Sequence, residues 1–114
     1  VAKEMRNILR GVVDSGTAEL AEVDGYFPGG KTGTAQKVES NGTYSHSKFT
    51  ASFIGFVPYD NPRLVIAVIM DEPRPMYYGG VVCAPVFKKV TAELMSYYKI
   101  WPKEKGKLEA KKNH

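Results

Sequence analysis

The sequence predicts an α+β fold, a three-stranded antiparallel meander packed with an N-terminal and a C-terminal helix. Three observations lead there. Apolar residues recur at helical spacing near both ends of the 114-residue chain. Between them lie three runs of strand length. Turn-forming clusters separate the runs, namely Asn41-Gly42 and Pro58-Tyr59-Asp60-Asn61-Pro62.

Each element has its own justification. Met5, Ile8, Leu9, Val12 and Val13 form one helical stripe, and Gly16 follows closely enough to end that helix. Residues 17–27 read as a connector with Gly25 and Pro28 as breakers, and Gly16-Thr17-Ala18 as a turn constraint. Gly30 to Glu39 reads as the first strand. Asn41-Gly42 opens a turn, and the loop is expected to run to about Lys48, which puts His46 in a polar loop. Asn41-Gly42-Thr43 also matches an N-glycosylation pattern, but the turn explains it more simply. Phe49 to Val57 is the second strand and Arg63 to Asp71 the third. The third is nearly all apolar, so burial on both faces is expected. An apolar strand with a bare edge invites aggregation, so the sequence predicts a chain stable only beside further polypeptide. Glu72 to Gly80 is a Pro/Gly loop in which Gly79 and Gly80 shape the turn into the last helix. Asp71 and Glu72 are neighbours whose side chains point apart, which suggests a solvated loop start. Pro85 suits the first turn of the final helix, and Val86, Val90, Leu94 and Tyr98 form its expected core stripe. The predicted division is a folded segment, residues 1–101, and a basic tail, residues 102–114.

Composition narrows the function. The net charge of +4 sits largely in that tail, at Lys103, Lys105, Lys107, Lys111 and Lys112, partly offset by Glu104 and Glu109. No aromatic platform or nucleic-acid motif accompanies it, so a solvated terminus is expected and no nucleic-acid partner. The longest apolar run, Leu64 to Met70, is far shorter than the roughly 18 residues a membrane-spanning helix needs. No secretory leader is recognised. The lone Cys83 lies in an apolar stretch and reads as a buried thiol. His46 and His114 are far apart in sequence and no His/Cys cluster exists, so neither metal nor cofactor is expected.

The chemistry concentrates in Lys31-Thr32-Gly33-Thr34-Ala35-Gln36-Lys37, preceded by Gly29-Gly30. Lys31 offers a compact positive charge and three donors. Thr32 and Thr34 offer hydroxyls able to bind a carboxylate. Gly33 lets a ligand lie against the backbone. A nearby amide can face an oxygen that gains negative charge in acyl transfer. Together these residues describe one wall of a serine acyl-transfer site.

With its surroundings, this segment resembles the C-terminal part of the transpeptidase domain of class B penicillin-binding proteins, the division and elongation type. K-T-G is that family's third motif. The resemblance also rests on Met5 to Val13, Gly16-Thr17-Ala18, Gly30 to Lys37, Ser52 to Pro58, Val65 to Val68, Tyr78-Gly79-Gly80 and Ala84 to Phe87. These blocks occur in the family's order and span about the first hundred residues.

The resemblance implies the C-terminal portion of a penicillin-binding/β-lactamase-like fold, in which the three strands join a larger five-stranded sheet. It implies a D,D-transpeptidase that crosslinks peptidoglycan stem peptides through a serine acyl-enzyme and binds β-lactams. It assigns Lys31 the field that attracts the ligand carboxylate, Thr32 and Thr34 its hydrogen bonds, and Thr34 N–H half of an oxyanion hole. It makes Gly33 the open backbone, Gln36 a contact to the donor peptide, and Tyr78 and Gly79 a possible far end of the groove. The family's S-x-x-K and S-x-N motifs lie upstream of K-T-G. Neither precedes Lys31 here, and Ser40-Asn41 is adjacent, not spaced. The nucleophile is therefore expected on a second chain carrying the N-terminal part of the domain, and this chain alone should be inactive. The family works at the periplasmic, extracytoplasmic face of the bacterial membrane, held by an N-terminal anchor expected outside this chain. Fragments of a β-lactamase or of a penicillin-sensing domain, and a non-enzymatic basic interaction module, are the alternatives.

Overall fold

A computed structural model of the chain describes residues 1–102. The basic tail beyond Pro102, predicted as a separate segment, lies outside the described residues. Helix α1, Ala2–Ser15, leads through a short 3-10 turn, Glu19–Ala21, to strand β1, Gly29–Val38. Strands β2, Tyr44–Val57, and β3, Leu64–Asp71, complete an antiparallel sheet in the order β1-β2-β3. A one-turn helix α2, Gly79–Val82, runs into helix α3, Ala84–Tyr97. The α+β meander is therefore observed, with helical structure inside two segments read as plain connectors, residues 17–27 and 72–80.

Strand alternation divides the sheet into two faces. The inner face carries Gly30, Thr32 and Thr34 of β1, paired with Gly55, Phe53 and Ala51 of β2, which pair in turn with Ile66, Val68 and Met70 of β3. Phe53 and Ala51 are fully buried there with Val13, Ala18, Ala21, Cys83, Ala84 and Phe87. The rings of Phe53 and Phe87 meet edge-on, centroids 4.8 Å apart, an arrangement worth about 1 kcal/mol beyond the area it buries. Glycine makes room for them. A Cβ on Gly55 would stand 2.6 Å from the Phe87 ring and 2.8 Å from that of Phe53.

Several expectations change here. Strand β2 begins at Tyr44, not Phe49, so the turn after Asn41 is short and His46 is an exposed strand residue. A polar, serine-rich start concealed that strand, because its outer half has no β3 neighbour and needs no apolar pattern. Ser45 is buried all the same, its Oγ accepting from the amides of Ser47, 3.1 Å, and Lys48, 2.9 Å.

Strand β3 is not covered on both faces within this chain. Its burial alternates, leaving Val65 74% and Ile69 68% exposed beside Ile54 at 53%. In α3 the buried stripe is Ala84, Phe87, Thr91 and Met95. Val86 and Tyr98, expected inside, are exposed. Both stripes have helical spacing, and the larger Phe87 ring decides which one faces the sheet. In α1 only Val13 of the expected apolar stripe is fully buried, while Met5 and Ile8 face out. Gly16 does end α1, its amide closing on the Val12 carbonyl at 3.2 Å. Asp71 and Glu72 are not merely solvated. They converge on Lys37 Nζ at 2.9 and 3.6 Å, tying the ends of β1 and β3 together.

The link between α1 and the sheet is polar and buried. Arg10 donates to both Glu22 carboxylate oxygens and, at 2.9 Å, to the Pro28 carbonyl. Its guanidinium lies over the Phe27 ring, 5.2 Å from the centroid. One cation thus joins the helix, the connector and the residue that precedes Gly29-Gly30. Repetition of apolar residues cannot reveal such a core member.

Candidate functional site

A cleft of about 300 Å³ opens beside β1, lined by Thr17, Thr32, Thr34, Tyr78, Gly79, Gly80 and Val81. Its floor follows from the pleat. Thr32 and Thr34 are two residues apart on one strand and project to the same face. The opposite wall is the start of α2, held against the sheet by direct backbone contact. A Cβ on Gly79 would overlap the Ser52 carbonyl and stand 2.9 Å from that of Gly33. A Cβ on Gly80 would overlap the Thr17 carbonyl and stand 3.6 Å from Thr32 Cγ2. Neither glycine has positive φ. They sit in the turn that Val81 N–H closes on the Tyr78 carbonyl at 2.9 Å, and the meeting of two backbones adds a second reason for glycine.

The Gly79 amide donates to Thr34 Oγ1 at 3.3 Å. A threonine hydroxyl that accepts from an amide still has its own proton to give. Thr34 is therefore anchored and remains a donor toward the cleft. Tyr77 holds the approach to this wall by stacking on Phe49, centroids 3.9 Å apart and rings nearly parallel. Its hydroxyl lies 3.5 Å from that of Tyr78, and this hydrogen bond is the main cause that raises the Tyr77 pKa.

The structure brings together four of the residues singled out from the sequence, Thr32, Thr34, Tyr78 and Gly79. The others are not among the lining residues. Lys31 is exposed on the outer face, paired across from Ile54, and its Nζ donates to the Thr32 carbonyl at 3.1 Å. Gly33 shares that outer face, where Ser52 Oγ donates to its carbonyl at 3.4 Å. Gln36 is exposed opposite Phe49, beyond the lining residues.

Thr17, Gly80 and Val81 also line the cleft; Thr17 was read from the sequence only as a turn residue, and Gly80 more as a turn residue than as a groove residue. No local pattern marks Thr17, since it reaches the cleft only because α1 folds back beside β1. Two S-x-x-K spacings do occur downstream of Lys31, Ser45 to Lys48 and Ser96 to Lys99. Neither pair is among the cleft's lining residues, and Ser45 Oγ is buried under backbone amides. Burial pushes the Cys83 thiol above its ordinary pKa, as suits an inert core residue. Among the described residues no group of His, Cys, Asp and Glu is arranged to hold a metal, and no helix is long and apolar enough to cross a membrane.

With this geometry in place, comparison with known proteins is informative. Residues 1–92 match the penicillin binding protein transpeptidase domain. The chain is 46% identical over 103 residues to the Probable peptidoglycan D,D-transpeptidase PenA of Neisseria gonorrhoeae, covering 89% of this chain and 18% of that protein. It superimposes on the transpeptidase domain of Burkholderia pseudomallei penicillin-binding protein 3 with TM-score 0.78 and 41% identity, covering 88% of this chain and 30% of that one. Penicillin binding protein 3 of Mycobacterium tuberculosis, solved in complex with ampicillin, gives TM-score 0.79 and 34% identity, covering 90% and 25%. The chain thus spans less than a third of each of these three proteins.

Proposed function

This chain belongs to the penicillin-binding-protein transpeptidase family, and from that premise we propose that it forms the K-T-G wall of a serine-type peptidoglycan D,D-transpeptidase. The observation that carries the proposal is the cleft, where Thr32 and Thr34 of Lys31-Thr32-Gly33-Thr34 face the Tyr78-Gly79-Gly80 segment.

In this reading the ligand is a stem peptide ending in D-Ala-D-Ala, or a β-lactam. Its carboxylate accepts from the hydroxyls of Thr32 and Thr34. The ammonium of Lys31 acts through its field and joins the proton network of the S-x-N serine. The serine of an S-x-x-K segment attacks the penultimate carbonyl. Thr34 N–H and the nucleophile's own amide receive the developing oxyanion; one such donor is worth about 3 kcal/mol of barrier. The serine ester forms, the bond to the terminal D-Ala nitrogen breaks, and the leaving amine takes the proton. An amine of a neighbouring stem then attacks the ester, releasing the serine. Gly33 keeps the backbone accessible and Gln36 meets the donor peptide.

The partner is a segment carrying S-x-x-K and S-x-N, whose docking would cover the sheet's outer face at Ile54, Val65 and Ile69. The place of action is the periplasmic side of the cytoplasmic membrane, in division or elongation. A fluorescent penicillin tests this. The isolated chain stays unlabelled, and the assembled domain takes one label, on the S-x-x-K serine. Covalent label on any residue of this chain overturns the assignment.

A further inference from the structure

We propose that Thr17 is a third ligand-binding hydroxyl of the cleft and selects ligands bearing a carboxylate. The inference rests on the reading above, but Thr17 comes from the connector after α1 rather than from the K-T-G strand.

Three observations carry it. Thr17 lines the cleft together with Thr32 and Thr34. Its position is imposed by backbone. The amides on either side of it, of Gly16 and Ala18, both donate to the Val12 carbonyl, at 3.2 and 3.1 Å, so the chain turns sharply and holds Thr17 at the helix end. Its carbonyl is pressed against Gly80, which also abuts Thr32 Cγ2. The Thr17 backbone and the Thr32 methyl thus meet at one glycine from different elements, which sets the two residues side by side.

The chemistry of the lining sets the ligand class. Three threonines and Tyr78 supply the polar side chains of the lining residues, and no carboxylate is among them. Thr34 already accepts from Gly79 N–H and offers its proton outward. Thr17 and Thr32 hydroxyls make no hydrogen bond to other described residues. Three donors with one internal acceptance match a carboxylate, which accepts at several lone-pair sites on two oxygens. The Lys31 ammonium, on the opposite face, makes no contact with that pocket. Direct hydrogen bonds from threonines therefore do the local recognition and Lys31 contributes at longer range.

The test compares acylation of the assembled domain by a penicillin and by its methyl ester, in the natural protein and in Thr17→Val and Thr17→Ser. Thr17→Val is expected to slow capture of the acid on the order of tenfold and to slow capture of the ester, a weaker acceptor, by several-fold less. Thr17→Ser retains the preference for the acid. If Thr17→Val does not fold, Thr17→Ala replaces it with the same expected split. Equal rates for the variant and the natural protein overturn the inference, as does an equal loss toward acid and ester. Failure of the natural protein to acylate at all instead overturns the transpeptidase reading.

Discussion

Replacing Arg10 by methionine should destabilise the assembled domain by about 3 kcal/mol. The side chain of Arg10 is 9% exposed and that of its partner Glu22 33%. Removing one member of a fully buried ion pair costs about 3–5 kcal/mol, because the other charge is left without a partner. Water can reach Glu22 from one side, so the pair itself falls at about 2 kcal/mol, between that scale and the roughly 0–1 kcal/mol of an exposed pair. The Pro28 carbonyl loses its 2.9 Å donor, which adds about 1 kcal/mol. Methionine retains much of the apolar stem packed near Phe27, so packing contributes little. Glu22→Gln keeps the Pro28 bond and should cost about 1–2 kcal/mol. The double variant should then cost less than the sum by about 1 kcal/mol, since both substitutions remove the same contact. Urea denaturation of the four proteins at constant slope measures each term. A loss under about 0.5 kcal/mol for Arg10→Met, typical of a surface change, would refute the claim that this cation fastens α1 to the entry of β1. Strict additivity would refute the pairing itself.

Three further outcomes are expected. Gly80→Ala must push the Thr17 carbonyl away from α2; a cost of about 1–3 kcal/mol is anticipated, read as a lowered denaturation midpoint, and an unchanged midpoint would contradict the close approach. Thr91 is fully buried and its hydroxyl has no partner among the described residues, so Thr91→Val should gain about 1 kcal/mol; a lower midpoint would show that the hydroxyl is satisfied. Lys37 titrates above its ordinary value of 10.5, chiefly because of its hydrogen bond to Asp71. Its folded pKa is the higher one, so its contribution is complete below pH 10.5 and fades as pH rises through the folded value. NMR titration of Nζ should show the upward shift, and Asp71→Asn should abolish most of it.

The two edge strands were read from sequence to within a residue at each end, as Gly29–Val38 and Leu64–Asp71, because turn residues bound each run. The early half of β2 was missed because it runs past the end of β3, and Tyr44 to Lys48 carry no alternation that burial would demand. The α3 stripe was misplaced by one residue because Thr91 interrupts the apolar repeat that the core uses. The Lys37 bridge to Asp71 and Glu72 joins residues 34 and 35 positions apart, a distance over which no local periodicity operates.

Residue types alone settled that the chain carries a hydroxyl-rich strand beside a glycine pair, and that three strands and two long helices share one core. Those features are local, set by backbone freedom and by side-chain spacing. Which hydroxyls share a cleft was settled by folding. Pleat direction put Thr32 and Thr34 on one face and Lys31 on the other, and close backbone contact at Gly79 and Gly80 brought Thr17 to them. Such contacts depend on the register between elements distant in sequence, and register is a property of the packed chain.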